Sequence, residues 1–255
     1  MCVNYRPPTP EQFGKLGAFS ELPADWRWPE ETWKDYVAPI VRRGAHGRPQ
    51  ACLATYGMVP RRQIPPEIKP FDTMNARAES LVERRSFAPA WRRLQLCAVP
   101  MAWFYEPCYE TGRAVRHAIG MADESLFYVA GLWRDWPEAD GSVASSFTQI
   151  TINADDHPLM NRMHKPGDEK RSLVILPHED VEDWLACRNT DEAHGFLRHY
   201  PAERMRDWAA APAPVALTSG KTPSTKASEV MMIGRKRRRA ASTAAWAALM
   251  PSAYF

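Results

Sequence analysis

An apolar run, Gln-Leu-Cys-Ala-Val-Pro-Met-Ala-Trp-Phe, occupies residues 95–104 and has the length of a buried β-strand. Residues 51–59 form a second run of this kind. Further strands are predicted downstream, at residues 113–120, 125–133, 146–153 and 172–176. They do not alternate regularly with helices, as the strands of a parallel α/β sheet do. We therefore predict an α+β domain with a curved, barrel-like mixed β-sheet and short peripheral helices.

Three segments predict those helices. Thr9 is an N-cap candidate before Pro10, because proline is favourable at the first position of a helix. Residues 75–93 are rich in helix formers but contain Pro89, which predicts a helix broken in two. A third helix is predicted to follow Pro177.

The composition divides the chain into a domain and a tail. The chain has 255 residues, of which 45% are hydrophobic, enough for one sizeable core. From residue 209 the composition shifts to Ala, Pro, Ser and Thr, and residues 235–239 read Arg-Lys-Arg-Arg-Arg. We predict a folded domain at 1–208 and a disordered tail at 209–255. The basic tip of the tail is either a solvated segment or a non-specific phosphate-binding arm.

The positive charge is concentrated in that tail. The formal net charge of the chain is +3, but residues 209–255 hold seven Lys and Arg against one Glu. The folded domain therefore carries a net charge of −3. A nucleic-acid site on the domain must be a local groove with a few well-placed arginines, and not a whole basic surface.

Two absences narrow the class of protein. The chain has no apolar stretch of about 18 residues, so we expect a soluble, cytoplasmic and nucleoid-associated protein with no membrane partner. Its five cysteines, at positions 2, 52, 97, 108 and 187, include no Cys-x-x-Cys pair. We therefore expect free thiols, no metal site and no cofactor.

Several segments, taken in order, resemble the SOS-response-associated peptidase (SRAP) family. The family begins Met-Cys-Gly-Arg-Tyr and has the signature Asn-Ala-Arg-Ala-Glu. It also has elements like Trp-Gly-Leu-Ile-Pro, Gly-Leu-Trp and Arg-Met-Pro-Val-Ile-Leu, and an aromatic segment that ends in Phe-Tyr-Glu-Trp. The corresponding segments here are Met1–Tyr5, Asn75–Glu79, Tyr56–Pro60, Gly131–Trp133, Arg171–Leu176 and Val99–Glu106.

Cys2 has a chemistry that can be stated from the residue itself. Removal of Met1 leaves an N-terminal cysteine, whose amine and thiol lie on adjacent carbons. The amine forms a Schiff base with an aldehyde, and the thiol then closes a stable thiazolidine ring. The resemblance implies that the aldehyde is the ring-opened abasic site of single-stranded DNA, and that strand cleavage by a lyase step can follow. The alternative is that Cys2 is an incidental second residue.

The resemblance also assigns roles around Cys2. Asn75 would orient the N-terminal cysteine, although it is equally an N-cap candidate for the predicted helix. Arg77 would hold a DNA phosphate. Glu106 ends an apolar run, so its pKa is expected to be raised and suited to proton transfer, unless it is a surface residue at a strand end. Tyr56 replaces a family Trp and could stack on a base.

The family histidine is assigned through an insertion. Aligning Arg171 with the Arg of the family Arg-Met-Pro places His164 before an insertion at residues 165–170. His164 would then be the general acid and base, and Arg171 a phosphate contact. His157 is the competing candidate. A Pro-Gly pair within the insertion predicts a turn.

Three function classes follow. The first is a monomeric protein that captures abasic sites in single-stranded DNA covalently through Cys2. The second is a thiol peptidase that uses Cys2 to remove its own leader, which here is only Met1. The third is a non-covalent module that binds single-stranded DNA, for which Cys2 would be dispensable.

Overall fold

The computed structural model describes residues 3–16, 22–44 and 46–211. Twelve strands lie in this part of the chain: β1 (Tyr5–Arg6), β2 (Val37–Arg43), β3 (Pro49–Tyr56), β4 (Asn75–Arg77), β5 (Leu96–Met101), β6 (Trp103–Cys108), β7 (Val115–Met121), β8 (Phe127–Pro137), β9 (Val143–Asn153), β10 (Arg171–Leu173), β11 (Ile175–Leu176) and β12 (Met205–Ala209). The four α-helices within the described ranges are α1 (Pro10–Lys15), α2 (Ala88–Arg92), α3 (Val181–Ala186) and α4 (Thr190–His194). Single 3-10 turns occur at Arg61–Gln63, Met160–Arg162, His178–Asp180 and Ala202–Arg204.

Five of the strands close into a barrel. Their order is β9-β3-β2-β5-β8, and β8 pairs again with β9. The β3–β9 pair is parallel and the other four pairs are antiparallel. Strands β4 and β10 add to β9, and β11 adds to β8. The predicted α+β fold with a barrel-like mixed sheet and short helices is confirmed.

A second sheet carries the first residues of the described chain. Its strand order is β1-β6-β7-β12, and all three pairings are antiparallel. In β1, Tyr5 pairs with Phe104 and Arg6 pairs with Trp103. The amide of Tyr105 donates to the carbonyl of Asn4 at 3.2 Å, so the chain continues along β6 towards its N-terminus. Residue 3 therefore lies at the end of β6 that holds Glu106.

The barrel is covered on both faces. Along β5, Cys97, Val99 and Met101 belong to one buried cluster. The alternate residues Leu96 and Ala98 belong to a second cluster, which includes residues of α2 and α3. Because successive side chains of a strand point to opposite faces, burial on both faces requires an unbroken apolar sequence. This explains why residues 95–101 do not alternate between apolar and polar.

Gly131 of β8 has no room for a side chain beside the neighbouring strands β5 and β9. A Cβ atom at this position would lie 2.5 Å from the backbone oxygen of Thr148 and 2.9 Å from Sγ of Cys97. We expect Gly131→Ala to lower the free energy of unfolding by about 1–3 kcal/mol, the usual cost of overpacking a core. Urea unfolding checks this. The matched control is Gly14→Ala in α1, where a Cβ meets nothing within 4 Å and no loss is expected; equal midpoints for the two variants would contradict the steric account.

The predicted helix over residues 75–93 is wrong in its first half. Residues 75–77 form β4, which runs parallel to β9, with Ala76 opposite Ile150. Only α2, five residues long, is helical in the second half, and Pro89 lies in its first turn. The local helix preference of residues 75–77 is overridden because β9 supplies their backbone hydrogen bonds and a buried position for Ala76.

Two predicted strands each divide. Residues 95–104 change sheet at Ala102, whose amide donates to the carbonyl of Arg6. Residues 172–176 divide at Val174, whose amide donates to the carbonyl of Ile150. As a result, β10 pairs with β9 and β11 pairs with β8. The predicted cap of α1 is confirmed, since Thr9 and Gln12 form a reciprocal capping box.

The tail prediction falls largely beyond the described ranges. Residues 212–255, which include the basic run, lie outside the described residues, and the division between domain and tail stays a prediction. No helix within the described ranges is long and apolar enough to cross a membrane.

Candidate functional site

Glu106 and His164 form a buried acid and base pair. Glu106 lies on β6 opposite His117 of β7, and its side chain is 3% exposed. The side chain of His164 is 7% exposed, and its Nε2 lies 3.1 Å from Oε2 of Glu106. Burial excludes the alternative that Glu106 is a surface residue at a strand end. A carboxylate and an imidazole this close, with limited access to water, can pass a proton to a bound molecule.

The backbone around His164 is held in an uncommon conformation. His164 has φ +65°, in the left-handed region that few residues other than glycine adopt. Its amide donates to the carbonyl of Pro107 at 2.8 Å, directly beside Glu106. Met163 also forms a β-bridge with Cys108. These contacts attach residues 163–170, which we call the histidine loop, to β6. A locally strained backbone of this kind is common at functional sites.

Arg162 anchors the turn that leads into His164. Its guanidinium donates to both carboxylate oxygens of Glu110, at 2.8 and 2.7 Å, and to Asp207 at 3.0 Å. The hydrogen bonds from Arg162 lower the pKa of Glu110 to about 2. Asp207 also lies 2.7 Å from Nδ1 of His117, the residue opposite Glu106. These ion pairs therefore attach the turn that precedes His164 to Glu110 and to Asp207.

His157, the competing histidine, is fully engaged within the protein. It is 2% exposed, and its Nδ1 accepts hydrogen bonds from the amides of Leu159 and Met160. Its Nε2 lies 3.0 Å from the carbonyl of Tyr200, which makes it the protonated nitrogen. Both ring nitrogens thus stabilise the loop, so His157 has a structural role and His164 is the histidine beside Glu106.

Lys170, the last residue of the insertion, ties the histidine loop together. Its ammonium donates to the carbonyls of Met163, His164 and Lys165 at 2.8, 3.1 and 3.1 Å. Between them, Gly167 has φ +86° and the amide of Asp168 donates to Lys165, which confirms the predicted turn.

We expect Lys170→Met to lower the free energy of unfolding by roughly 1–2 kcal/mol, because three carbonyls lose a charged donor that is partly exposed. Hydrogen exchange should show faster exchange in residues 163–169. The matched control is Lys165→Met, since Lys165 is exposed and lies in the same loop. If both variants exchange at the wild-type rate, Lys170 does not hold the loop.

Asn75 and Arg77 lie on the same side of β4, because they are two residues apart in a strand. Both line a surface groove of about 520 Å³, together with Phe71, Arg84, Arg85 and Glu169. The helical arrangement predicted for Asn75 and Arg77 is therefore wrong. The strand instead directs both side chains into one groove.

Arg171 is committed to protein partners. It is 2% exposed, and its guanidinium donates to both oxygens of Glu79, to Glu169 and to the carbonyl of Thr151. Burial and these four bonds leave Arg171 no access to a ligand. The prediction that Arg171 contacts a phosphate is therefore wrong, and its role is structural. Glu79 is therefore a structural partner of Arg171.

Tyr56 is also a core residue. It is fully buried and stacks on Phe147, with ring centroids 5.2 Å apart, and its hydroxyl donates to Gln149 at 3.1 Å. The prediction that Tyr56 stacks on a base is therefore wrong in this arrangement. Two aromatic residues line the groove, of which Phe71 is 43% exposed and Phe87 is buried.

Four residues of the groove were missed from the sequence. Phe71 is an isolated aromatic in a segment without regular structure, and nothing in its sequence neighbourhood marks it. Arg84 and Arg85 are adjacent arginines, a signal that the helix prediction concealed. Glu169 lies in the insertion, where the family pattern offers no position for it.

Cys2 lies outside the described residues. Asn4, at the start of the described chain, is 2% exposed and donates to Glu31 at 2.9 Å. Glu31 in turn pairs with Arg116 at 2.8 Å. The neutral side chain of Asn4 thus makes a partly buried hydrogen bond.

Three of the described cysteines, Cys52, Cys97 and Cys187, are weak nucleophiles by comparison with an exposed thiol. Burial raises the pKa of Cys52 to about 11 and raises the pKa of Cys97 well above its ordinary value. Burial also raises the pKa of Cys187. At neutral pH these three thiols are protonated, and the thiolate is the reactive form.

A family model and two curated proteins match this chain in sequence. A model of the family "SOS response associated peptidase (SRAP)" matches residues 20–213. Abasic site processing protein YobE of Bacillus subtilis is 32% identical over 138 residues, which are 53% of this chain and 59% of YobE. Abasic site processing protein YoqW of the same organism is 31% identical over 149 residues, 56% of this chain and 63% of YoqW. The chain thus matches about 60% of the length of these curated relatives.

Solved structures show the same fold. A crystal structure of a protein from Bordetella bronchiseptica superposes with a TM-score of 0.71 at 32% identity, covering 83% of this chain and all of the other. A protein from Bacteroides thetaiotaomicron superposes with a TM-score of 0.66 at 18% identity, covering 82% and 92% of the two chains. With a family model that matches three quarters of its length, this chain belongs to the SOS response associated peptidase (SRAP) family.

Proposed function

We propose that this chain processes abasic sites in single-stranded DNA by capturing them covalently through Cys2. The observation that carries the proposal is the buried pair of Glu106 and His164 at the end of β6 to which the described N-terminal residues run. The abasic site processing proteins among its relatives point to the same lesion.

In the proposed reaction the N-terminal residue is Cys2 after removal of Met1. The α-amine attacks the aldehyde carbon C1′ of the ring-opened sugar, and a water molecule leaves as the imine forms. The Cys2 thiol then adds to the imine carbon, so that a C–S bond forms and the thiol proton passes to the nitrogen. The product is a thiazolidine that joins the protein to the DNA without any oxidant or reductant.

Glu106 and His164 supply the proton transfers in this scheme. Opening of the sugar ring requires a proton on O4′ and loss of one from the C1′ hydroxyl, and imine formation requires a proton on the hydroxyl group that departs as water. An acid and a base 3.1 Å apart can exchange these roles between steps. Asn75, on β4, is proposed to orient Cys2.

The groove beside β4 is proposed to hold the DNA strand. Arg77, Arg84 and Arg85 present guanidinium groups that suit phosphates, and Phe71 offers an exposed ring on which a base can stack. Bases are accessible to such a ring in a single strand and not in a paired duplex. Single-stranded DNA is therefore the proposed form of the substrate, bound by a monomer.

The buried pair distinguishes the covalent function from its competitors. A non-covalent DNA-binding module has no use for a carboxylate and an imidazole buried 3.1 Å apart. A peptidase that acts on other proteins would need a site for an extended peptide, whereas the groove is lined by arginines and acidic residues. Cleavage of the strand by elimination from the imine is proposed as a side reaction of the same residues.

The test uses the purified full-length chain and an oligonucleotide with one authentic abasic site. We expect a protein–DNA band on a denaturing gel that survives heating. The matched control is an oligonucleotide whose abasic position is tetrahydrofuran, which has no aldehyde and should give no band. A band with the tetrahydrofuran oligonucleotide, or none with the authentic site, would refute covalent capture of the aldehyde.

A further inference from the structure

The groove beside β4 carries an internal balance of charge. Its lining includes three arginines and three carboxylates, namely Arg77, Arg84, Arg85, Asp72, Glu79 and Glu169. The formal charges of these six residues cancel. A groove that binds a polyanion ordinarily has an excess of positive charge, because phosphate contacts supply most of the affinity.

Glu169 makes the contacts that a phosphate group would make. Its Oε2 lies 2.7 Å from Nη1 of Arg77, and its Oε1 lies 2.7 Å from Nη1 of Arg171. The carboxylate oxygen on Arg77 is thus placed where a non-bridging oxygen of a phosphodiester could bind the same guanidinium group, while the contact to the buried Arg171 is structural. Arg77 is 46% exposed, so this anion-binding position is open to the groove.

Glu169 can leave without exposing an unpaired buried charge. Arg171, the buried member of the group, keeps both hydrogen bonds to Glu79 when Glu169 moves away. Arg77 is the member that would need a new anion, and it faces the groove. The side chain of Glu169 is 37% exposed and can rotate towards solvent.

The backbone that carries Glu169 is fixed on both sides. Lys170 donates its amide to Asp155 at 2.9 Å and accepts from the amide of Ala154 at 2.8 Å. At the other end the amide of His164 is bonded to Pro107. Exchange of the anion on Arg77 therefore requires only a side-chain rotation and no opening of the loop.

On the basis of the proposed function, we propose that Glu169 occupies a DNA phosphate position on Arg77 and thereby sets the affinity of this chain for undamaged single-stranded DNA. A bound strand must replace the Glu169 carboxylate on Arg77 by one of its phosphates. This exchange lowers the binding free energy that a non-covalent encounter gains. Only DNA that goes on to form the covalent bond is then retained. The insertion at residues 165–170 thus acts as a specificity-determining element.

The test measures non-covalent binding, so the probe is a fluorescent single-stranded oligonucleotide with a central tetrahydrofuran residue. Fluorescence anisotropy is recorded from about 50 mM to about 200 mM salt. We expect Glu169→Gln to bind about three- to tenfold more tightly than wild type at the lower salt concentration. We expect the slope of log K against log salt to steepen by about 0.7, the value for one more phosphate contact to a single strand.

Two further variants make the result specific. Glu203→Gln removes the same charge from an exposed residue outside the groove lining, and its affinity should stay within about twofold of wild type. Arg77→Gln combined with Glu169→Gln should abolish the gain, because the position then has no guanidinium on the groove side. Glu169→Asp, which keeps the charge but shortens the side chain, should bind with intermediate affinity and serves if Glu169→Gln fails to fold.

The position on Arg77 is refuted if Glu169→Gln binds no more tightly than Glu203→Gln, or if Glu169→Gln steepens the salt slope no further. These outcomes are separate from failure of the proposed function, because the tetrahydrofuran probe cannot form an adduct. Tighter binding by Glu169→Gln, without any adduct on authentic abasic DNA, would support the phosphate position of Glu169 and refute the covalent function. An adduct without tighter binding by Glu169→Gln would support the covalent function and refute the phosphate position.

Discussion

Cys2→Ala is expected to abolish the heat-stable adduct with abasic single-stranded DNA. The alanine variant keeps the terminal amine, so it can form at most an imine, which hydrolyses on denaturation. The thiol is the group that closes the ring and makes the product stable. We expect no adduct above background on a denaturing gel, a loss of at least about 100-fold in yield if the thiol is as essential as a catalytic nucleophile.

Two controls refine this result. Cys2→Ser should also give no heat-stable adduct, although borohydride should trap its imine. Cys52→Ser should form the adduct as wild type does, because burial raises the pKa of Cys52 to about 11 and this thiol has no part in the reaction. A heat-stable adduct formed by Cys2→Ala without a reductant would contradict the thiazolidine chemistry.

Glu106→Gln and His164→Gln are expected to slow adduct formation by about 100-fold or more each, the usual contribution of a general acid or base. The two replacements keep the size of the side chains and remove their ability to transfer protons. Because the two groups lie 3.1 Å apart and act together, the double variant should be little slower than either single one. Single-turnover rates on authentic abasic DNA measure this.

The affinity of each variant for DNA distinguishes a defect in the chemical step from a defect in DNA binding. Both variants should bind the tetrahydrofuran oligonucleotide within about twofold of wild type, since neither residue lines the groove. His157→Gln is the matched histidine control. It should lower the free energy of unfolding, because His157 bonds to three backbone groups, while leaving the rate of the folded fraction unchanged. A rate loss confined to His157→Gln would reverse the assignment of the histidine.

The fold was largely predictable because its apolar runs are long. Residues 96–101 and 127–132, within two of the predicted strands, are buried on both faces, which gives an unbroken apolar pattern that marks strands. Strand β4 was not predictable in the same way. Its three residues have the local preferences of a helix, and only pairing with β9, more than 70 residues away in sequence, makes them a strand.

The candidate site was predictable where chemistry was local and not where it depended on packing. Glu106 stood out as a carboxylate at the end of an apolar run, and His164 as the histidine before the insertion. Tyr56 and Arg171 look in sequence like ligands for DNA, but the barrel buries both. A stacking aromatic and a core aromatic cannot be distinguished without the strand register, and a buried arginine is recognised only when its carboxylate partners are known.

Intact mass spectrometry of the adduct, formed without a reductant, tests the central claim most directly. The predicted mass is that of the chain without Met1, plus the abasic oligonucleotide, minus one water. Peptide mapping should then place the DNA remnant on the N-terminal Cys2. An adduct that retains Met1, or a remnant on any other residue, would contradict capture by an N-terminal aminothiol.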